Sequence, residues 1–133
     1  MRRQRLLPRI ITAIATGFMM LTIGSSLLSP ARVQAQADGK AMFEKRCGGC
    51  HALDRDKEGP RLGGVYGRTS ASLDGFQYSD ALKKAKIVWK EDTLDRWLTD
   101  TEKLVPGNDM TFHVEKADER REIIAYLKQT SGK

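Results

Sequence analysis

The chain has 133 residues and a formal net charge of +6, from 23 Lys+Arg against 17 Asp+Glu. The excess lies at the start: Arg2, Arg3, Arg5, Arg9 and Arg32 precede Asp38 and no acidic residue does, so 23 less five leaves 18 basic residues against 17 acidic ones. A nucleic-acid partner, which overall basicity would suggest, loses its support. With two cysteines and two histidines, a four-ligand zinc site would have to take Cys47, Cys50, the adjacent His51 and His113 together.

Residues 1–37 read as an export signal. Arginines open the chain, an apolar run follows from Ile10 to Leu28, and Ala35-Gln36-Ala37 is a small-x-small cleavage pattern. Cleavage is expected after Ala37, with Ala35 as the alternative, which delivers the rest of the chain to the periplasm. The apolar run is close to the roughly 20 residues that cross a bilayer. The competing expectation is therefore an uncleaved segment that anchors the protein in the membrane. Residues 38–133 form one domain, 96 residues long, in which a protein core alone is only marginally self-sufficient.

Asp38 to Arg46 reads as a short helix with Ala41, Met42 and Phe43 near one face. It runs into Cys47-Gly48-Gly49-Cys50-His51, a C-x-x-C-H pattern that marks c-type haem attachment. Two thiols add across the two vinyl groups of one haem, so they must sit close together and face the same edge. His51 then lies under the iron and offers an imidazole nitrogen, and the two glycines leave room for the macrocycle. A thioredoxin-like dithiol shares C-x-x-C but comes with a βαβ pattern, which is not seen here. The long, glycine-rich connection from Ala52 to Gly75 is expected to wrap the haem.

Ser79-Asp80-Ala81-Leu82 starts a capped helix that continues through Lys86. Asp92 is expected to cap a third, in which Leu94, Trp97 and Leu98 fall at i, i+3, i+4. After the signal only two methionines remain. Met42 sits on the first helix, where a core role is expected. Met110 sits in a Pro-Gly loop able to return to the open face of the ring. His113, three residues on, is its rival as a ligand. From about Ala117 to Thr130 a last helix carries Ile123, Ile124, Tyr126 and Leu127 as an apolar stripe. No alternating strand is evident. The expectation is an all-α fold of about four to five helices wrapped around one covalently bound haem c.

This ordered series resembles a class I cytochrome c, of the mitochondrial and bacterial cytochrome c2 type. The matching residues are Gly39 and Phe43, the C-x-x-C-H motif, Gly59-Pro60 with Leu62, Tyr66-Gly67-Arg68, Phe76 to Ala81, and Trp89. They continue through Val105-Pro106-Gly107-Asn108-Asp109-Met110 with Phe112, and end with Ile123 to Lys128. The resemblance implies that His51 and Met110 are the iron ligands and that the Pro60 carbonyl accepts from the other nitrogen of His51. It implies that Arg68, Tyr78, Ser79 and Trp89 hold the haem propionates, and that Gly39 and Phe43 cross the last helix at Tyr126. Phe112 is expected near the haem edge. Several positions depart from the family's pattern. Trp97 replaces a tyrosine that bonds the methionine sulfur, Asn108-Asp109 replaces Thr-Lys, and Leu82 replaces an asparagine. The loop between His51 and Pro60 is shorter. Of the family's lysine ring, Arg46 keeps one charge, while Asp109 and Glu102 reverse others. Lys83, Lys84, Lys86 and Lys90 are read as a solvated face.

The implied function is that of a soluble, monomeric one-electron carrier, not an enzyme. Its redox partners would be proteins such as a bc1 complex, an oxidase, a photosynthetic reaction centre or a periplasmic dehydrogenase, and it would touch a membrane only through them. The alternatives are an enzyme or gas sensor with Met110 displaced, and a thiol or zinc protein.

Overall fold

The structure, a computed structural model, describes residues 30–132. The arginine-rich start and the apolar run to Leu28 lie outside the described residues. Five helices follow one another: α1 (Pro30–Arg46), α2 (Asp80–Ala85), α3 (Glu91–Thr99), α4 (Thr101–Leu104) and α5 (Ala117–Ser131). Among the described residues the only β pairing is an isolated antiparallel bridge between Thr69 and Val88. The fold among the described residues is all-α with five helices, within the four to five expected.

Two helix starts differ from the expectation. The first helix begins at Pro30 rather than Asp38: proline is accommodated in a first turn, and the alanines and glutamines that follow propagate a helix well. The expected cleavage point after Ala37 therefore lies within α1. The third helix is capped at Lys90, not Asp92, which falls in its first turn. There the Lys90 N–H donates to Thr93 Oγ1 at 2.7 Å, which satisfies a backbone donor that a helix start leaves without a partner. For α2 the expected start holds, and the helix ends one residue sooner than expected. The Leu82 N–H donates to Ser79 Oγ at 3.2 Å, and the helix stops where Lys86 turns left-handed, at φ 51°.

The first and last helices cross at Gly39. A β-carbon there would lie 2.9 Å from the Glu122 carbonyl oxygen and 3.1 Å from Tyr126 Cβ, so glycine lets the two backbones approach. Beside the crossing, the Phe43 and Tyr126 rings pack with centroids 5.5 Å apart. At its lower edge Arg46 Nε and Nη2 donate to Glu119 Oε2 at 2.9 and 2.5 Å. Glu119 is only 7% exposed, so this charge-assisted pair closes a buried carboxylate. Arg46 thus serves the fold while its side chain stays 37% exposed beside the cleft.

The third helix adds Leu94, Trp97 and Leu98 to a core completed by Ile123, Ile124 and Leu127 of α5. Arg120 ties these layers together: its Nε donates to Asp95 at 2.7 Å and its Nη1 to the carbonyls of Val114 and Glu115. Between α1 and α2 the chain is irregular but well bonded. Leu62 and Gly63 donate to the carbonyls of Ala52 and Leu53, and the segment 67–70 exchanges backbone bonds with Ile87 and Trp89. This is the stretch expected to wrap the haem.

Candidate functional site

The site begins where α1 ends. The Cys47 N–H donates to the Phe43 carbonyl at 2.8 Å and the His51 N–H to the Cys47 carbonyl at 2.8 Å. These bonds carry a helical turn through the motif and bring Cys47 and His51, four residues apart, to one side. Cys47 is buried, whereas Cys50 is exposed. Burial pushes an unattached Cys47 thiol up to about 12. The two glycines have different jobs. A β-carbon on Gly48 would meet the Glu44 carbonyl oxygen at 2.6 Å, while one on Gly49 would meet no atom within 4 Å.

His51 Nδ1 lies 2.7 Å from the Pro60 carbonyl oxygen. A carbonyl can only accept, so Nδ1 carries the proton and Nε2 presents its lone pair. Burial lowers the imidazole pKa, with the Pro60 bond opposing, and the neutral ring is the form that can bind a metal. Gly59 makes this placement possible: a β-carbon there would stand 2.2 Å from His51 Cε1.

All nine residues singled out from sequence line one cleft of about 770 Å³: Cys47, Cys50, His51, Pro60, Arg68, Tyr78, Ser79, Trp89 and Met110. Met110 arrives on the loop after α4. Its N–H donates to Asn108 Oδ1 at 2.8 Å, and its carbonyl accepts from Thr101 Oγ1. His113 is not among the lining residues. Its side chain is 64% exposed, with Nε2 3.9 Å from Glu115 Oε1. Met42 packs against the core and also lies outside the cleft lining.

The polar end of the cleft holds Arg68, whose Nη1 and Nη2 donate to the carbonyls of Gly63 and Arg61, each at 3.1 Å. Burial lowers the Arg68 pKa and raises that of its neighbour Tyr78. Ser79 also has a structural duty, because its Oγ is the α2 cap. Trp89 is 7% exposed and packs on Trp97 with ring centroids 5.4 Å apart, so both indoles form one wall.

Three participants escaped the sequence reading. Gly59 is expected only as part of the Gly59-Pro60 match to the family, and its clearance for the imidazole has no sequence signal. Thr101 gave no signal, because its partner is nine residues away across a loop. Glu102 was read as a surface charge that opposes partners. In the structure its carboxylate accepts from the Gly107 N–H at 3.0 Å and from Asn108 Nδ2 at 3.3 Å.

The donor set fits a haem attached through both cysteines. Two thiols flank an imidazole whose Nε2 lone pair is available, a thioether lines the same cleft, and Leu62, Leu82, Leu94 and Leu98 supply apolar wall. The cleft volume lies within the range of large ligand sites. A helical fold closed over one apolar cleft, with C-x-x-C-H in its wall, defines a class I c-type haem protein.

The comparisons with known proteins agree. The Cytochrome c family model matches residues 36–131. The chain is 42% identical over 100 residues to cytochrome c of Chlamydomonas reinhardtii, covering 72% of this chain and 89% of that one. It is 46% identical over 93 residues to cytochrome c of Euglena viridis, covering 68% and 91%. The solved structure of cytochrome cH from Methylobacterium extorquens matches with a TM-score of 0.67 at 38% identity, covering 71% of this chain and 97% of that one. The chain belongs to the cytochrome c family, and its cofactor is covalent haem c. Proteins of this family carry electrons between redox partners.

Proposed function

We propose that the protein is an exported, periplasmic one-electron carrier whose haem iron is held between His51 and Met110. One observation supports this most: these two residues, far apart in the chain, line the same cleft, whereas the rival His113 is exposed beside Glu115. In this reading residues 1–37 are removed on export and residues 38–133 are the working domain, a monomer.

His51 binds through Nε2 while Pro60 orients the ring and raises its donor strength through Nδ1–H. Met110 supplies a soft thioether that favours ferrous iron and a relatively high potential. The chemistry supplied by haem c is one-electron Fe(III)/Fe(II) exchange. Were His51 and Met110 both to hold the iron, no open ligand site would remain for a substrate, which favours a carrier over an enzyme. Arg68, Tyr78, Ser79 and Trp89 hold the propionates. Carboxylates taken out of water need such partners, and Arg68 is the cation among them. The donors and acceptors of the electrons are proteins such as a bc1 complex, an oxidase, a reaction centre or a periplasmic dehydrogenase.

The test is a visible spectrum of protein matured in a host competent for cytochrome c assembly, oxidised and then reduced. Sharp c-type bands on reduction, with the weak red charge-transfer band of thioether-ligated ferric iron, are expected. That red band should vanish in Met110→Ala. Haem bands without it in the wild type would sink the Met110 assignment. Mass spectrometry of the periplasmic product should give a chain starting at Asp38; a start at Met1 would overturn export with cleavage.

A further inference from the structure

We propose that Thr101, Glu102 and Asn108 form a clamp that positions Met110 by fixing its backbone. This rests on the reading of Met110 as an iron ligand. Both backbone polar groups of Met110 are held by side chains. Its N–H donates to Asn108 Oδ1 at 2.8 Å, and its carbonyl accepts from Thr101 Oγ1. A backbone bonded to a neighbouring strand or helix is fixed by regular structure. In this loop those two side chains stand in for it, joined by one short-range backbone bond from the Phe112 N–H to the Met110 carbonyl at 3.1 Å.

Each of them is itself constrained. Thr101 is 2% exposed and starts the short helix α4, where the Asp100 carboxylate caps the Lys103 N–H at 2.9 Å. Its hydroxyl proton is committed to Met110, and Phe112 N–H approaches the same oxygen at 3.5 Å. Asn108 is held on its amide side. Nδ2 donates to the Val105 carbonyl at 2.9 Å and to Glu102 Oε2 at 3.3 Å, which leaves Oδ1 aimed at the Met110 N–H. These two donations also settle the amide's orientation, because both partners are acceptors.

Glu102 completes the arrangement from one turn earlier. Its second oxygen accepts the N–H of Gly107 at 3.0 Å, and Gly107 is left-handed at φ 80°. One carboxylate thus spans the loop, fixing the turn at Gly107 and the amide of Asn108 together. A charged acceptor makes the stronger kind of hydrogen bond. Glu102 is hydrogen-bonded to Asn108 rather than to Met110 and does not itself line the cleft. It acts through Asn108 and is a positioning residue.

The test uses the matured holoprotein with Thr101→Val, Glu102→Ala, Glu102→Gln and Asn108→Ala. Asp109→Asn is the control, since it removes a carboxylate one residue from Met110 that makes no hydrogen bond to the loop among the described residues. Two readouts are taken: the equilibrium constant for displacement of the thioether by added imidazole, followed through the red charge-transfer band, and amide hydrogen exchange at Gly107 and Met110. Loss of one hydrogen bond to a charged group should ease displacement by about tenfold or more in Glu102→Ala. A similar gain is expected in Asn108→Ala and Thr101→Val. In Glu102→Gln, which keeps one acceptor oxygen but not the charge, the effect should be smaller, and Asp109→Asn should stay within about twofold. Exchange at Met110 should quicken in Asn108→Ala and Glu102→Ala. If displacement and exchange in these variants match the wild type, the clamp is wrong. A wild type with no red band, but with exchange that quickens in the variants, would instead remove Met110 as ligand and leave a clamp that only orders the loop.

Discussion

The imidazole of His51 rests against the α-carbon of Gly59, so closely that a β-carbon there would stand 2.2 Å from Cε1, 2.7 Å from Nδ1 and 2.8 Å from Nε2. The clash involves a ring held on its other side by Pro60, so it cannot be relieved by a small rotation. Overpacking of this kind costs about 1–3 kcal/mol, and each kcal/mol moves Tm by roughly 4–8 °C in a domain of this size. Gly59→Ala is expected to lower the thermal midpoint of the holoprotein by about 5–20 °C. Gly132→Ala, whose β-carbon would meet no atom closer than 4.0 Å at a residue outside the cleft lining, should leave it unchanged. Equal midpoints in the two variants would contradict this packing.

Arg46 and Glu119 join residues 73 apart in sequence. Removing the guanidinium leaves a carboxylate that is 7% exposed with only Lys116 nearby, at 4.0 Å. Arg46→Ala is expected to cost about 2–3 kcal/mol by guanidinium denaturation, the range for a charged hydrogen bond lost in a buried place. Adding Glu119→Leu to it should recover much of that loss. A single-variant change below about 0.5 kcal/mol would show the pair to be idle.

Tyr78 sets an alkaline limit. Burial raises its folded pKa above the ordinary 10.0, so the unfolded chain loses this proton first. Its contribution is fully present below about pH 10 and is lost as pH rises through the folded value. Denaturation midpoints should therefore fall as the pH rises above about 10, and fall less steeply in Tyr78→Phe. A steeper fall in the variant would reverse the sign. Propionates held nearby would push the Tyr78 pKa in the same direction.

Without haem the domain should not stay folded. The cleft of about 770 Å³ adjoins much of the core, and residual cavity costs about 24 cal/mol per Å³. A third of the cleft left unfilled costs about 6 kcal/mol on that scale, which reaches the net stability of a small domain, about 5–15 kcal/mol. Far-ultraviolet circular dichroism of a Cys47→Ala, Cys50→Ala double variant, purified free of haem, should show most helicity lost. A helical spectrum that melts cooperatively near the holoprotein's midpoint would refute this.

Much of the site was legible because its chemistry is local. Cys47, Cys50 and His51 are contiguous, and their motif carries its own geometry. The stripe Leu94, Trp97, Leu98 lies at helical spacing and is buried as expected. What escaped depends on groups that meet only after folding. Thr101 and Glu102 gain their roles from a loop that turns back on α4, and no periodicity encodes that return. Arg46 looked like a free surface charge because its partner lies at the far end of the chain. The start of α1 differs from the expectation for another reason: the residues before Asp38 continue a favourable helix back to Pro30, across the expected cleavage point.

The crossing of α1 and α5 also sets an order of events. The helix that leads into Cys47 and Cys50 finds its packing partner only in the last helix, through Gly39, Phe43 and Arg46 on one side and Glu119, Glu122 and Tyr126 on the other. Closing so long a loop is entropically costly, and α5 is the last of these helices to be made. Until α5 has been made and docks, the cysteine segment lies open. Cys47 is then not yet buried, and its thiol keeps its ordinary acidity rather than the value near 12 of the closed form. The interval between emergence of the motif and arrival of α5 is the natural window for attaching the haem.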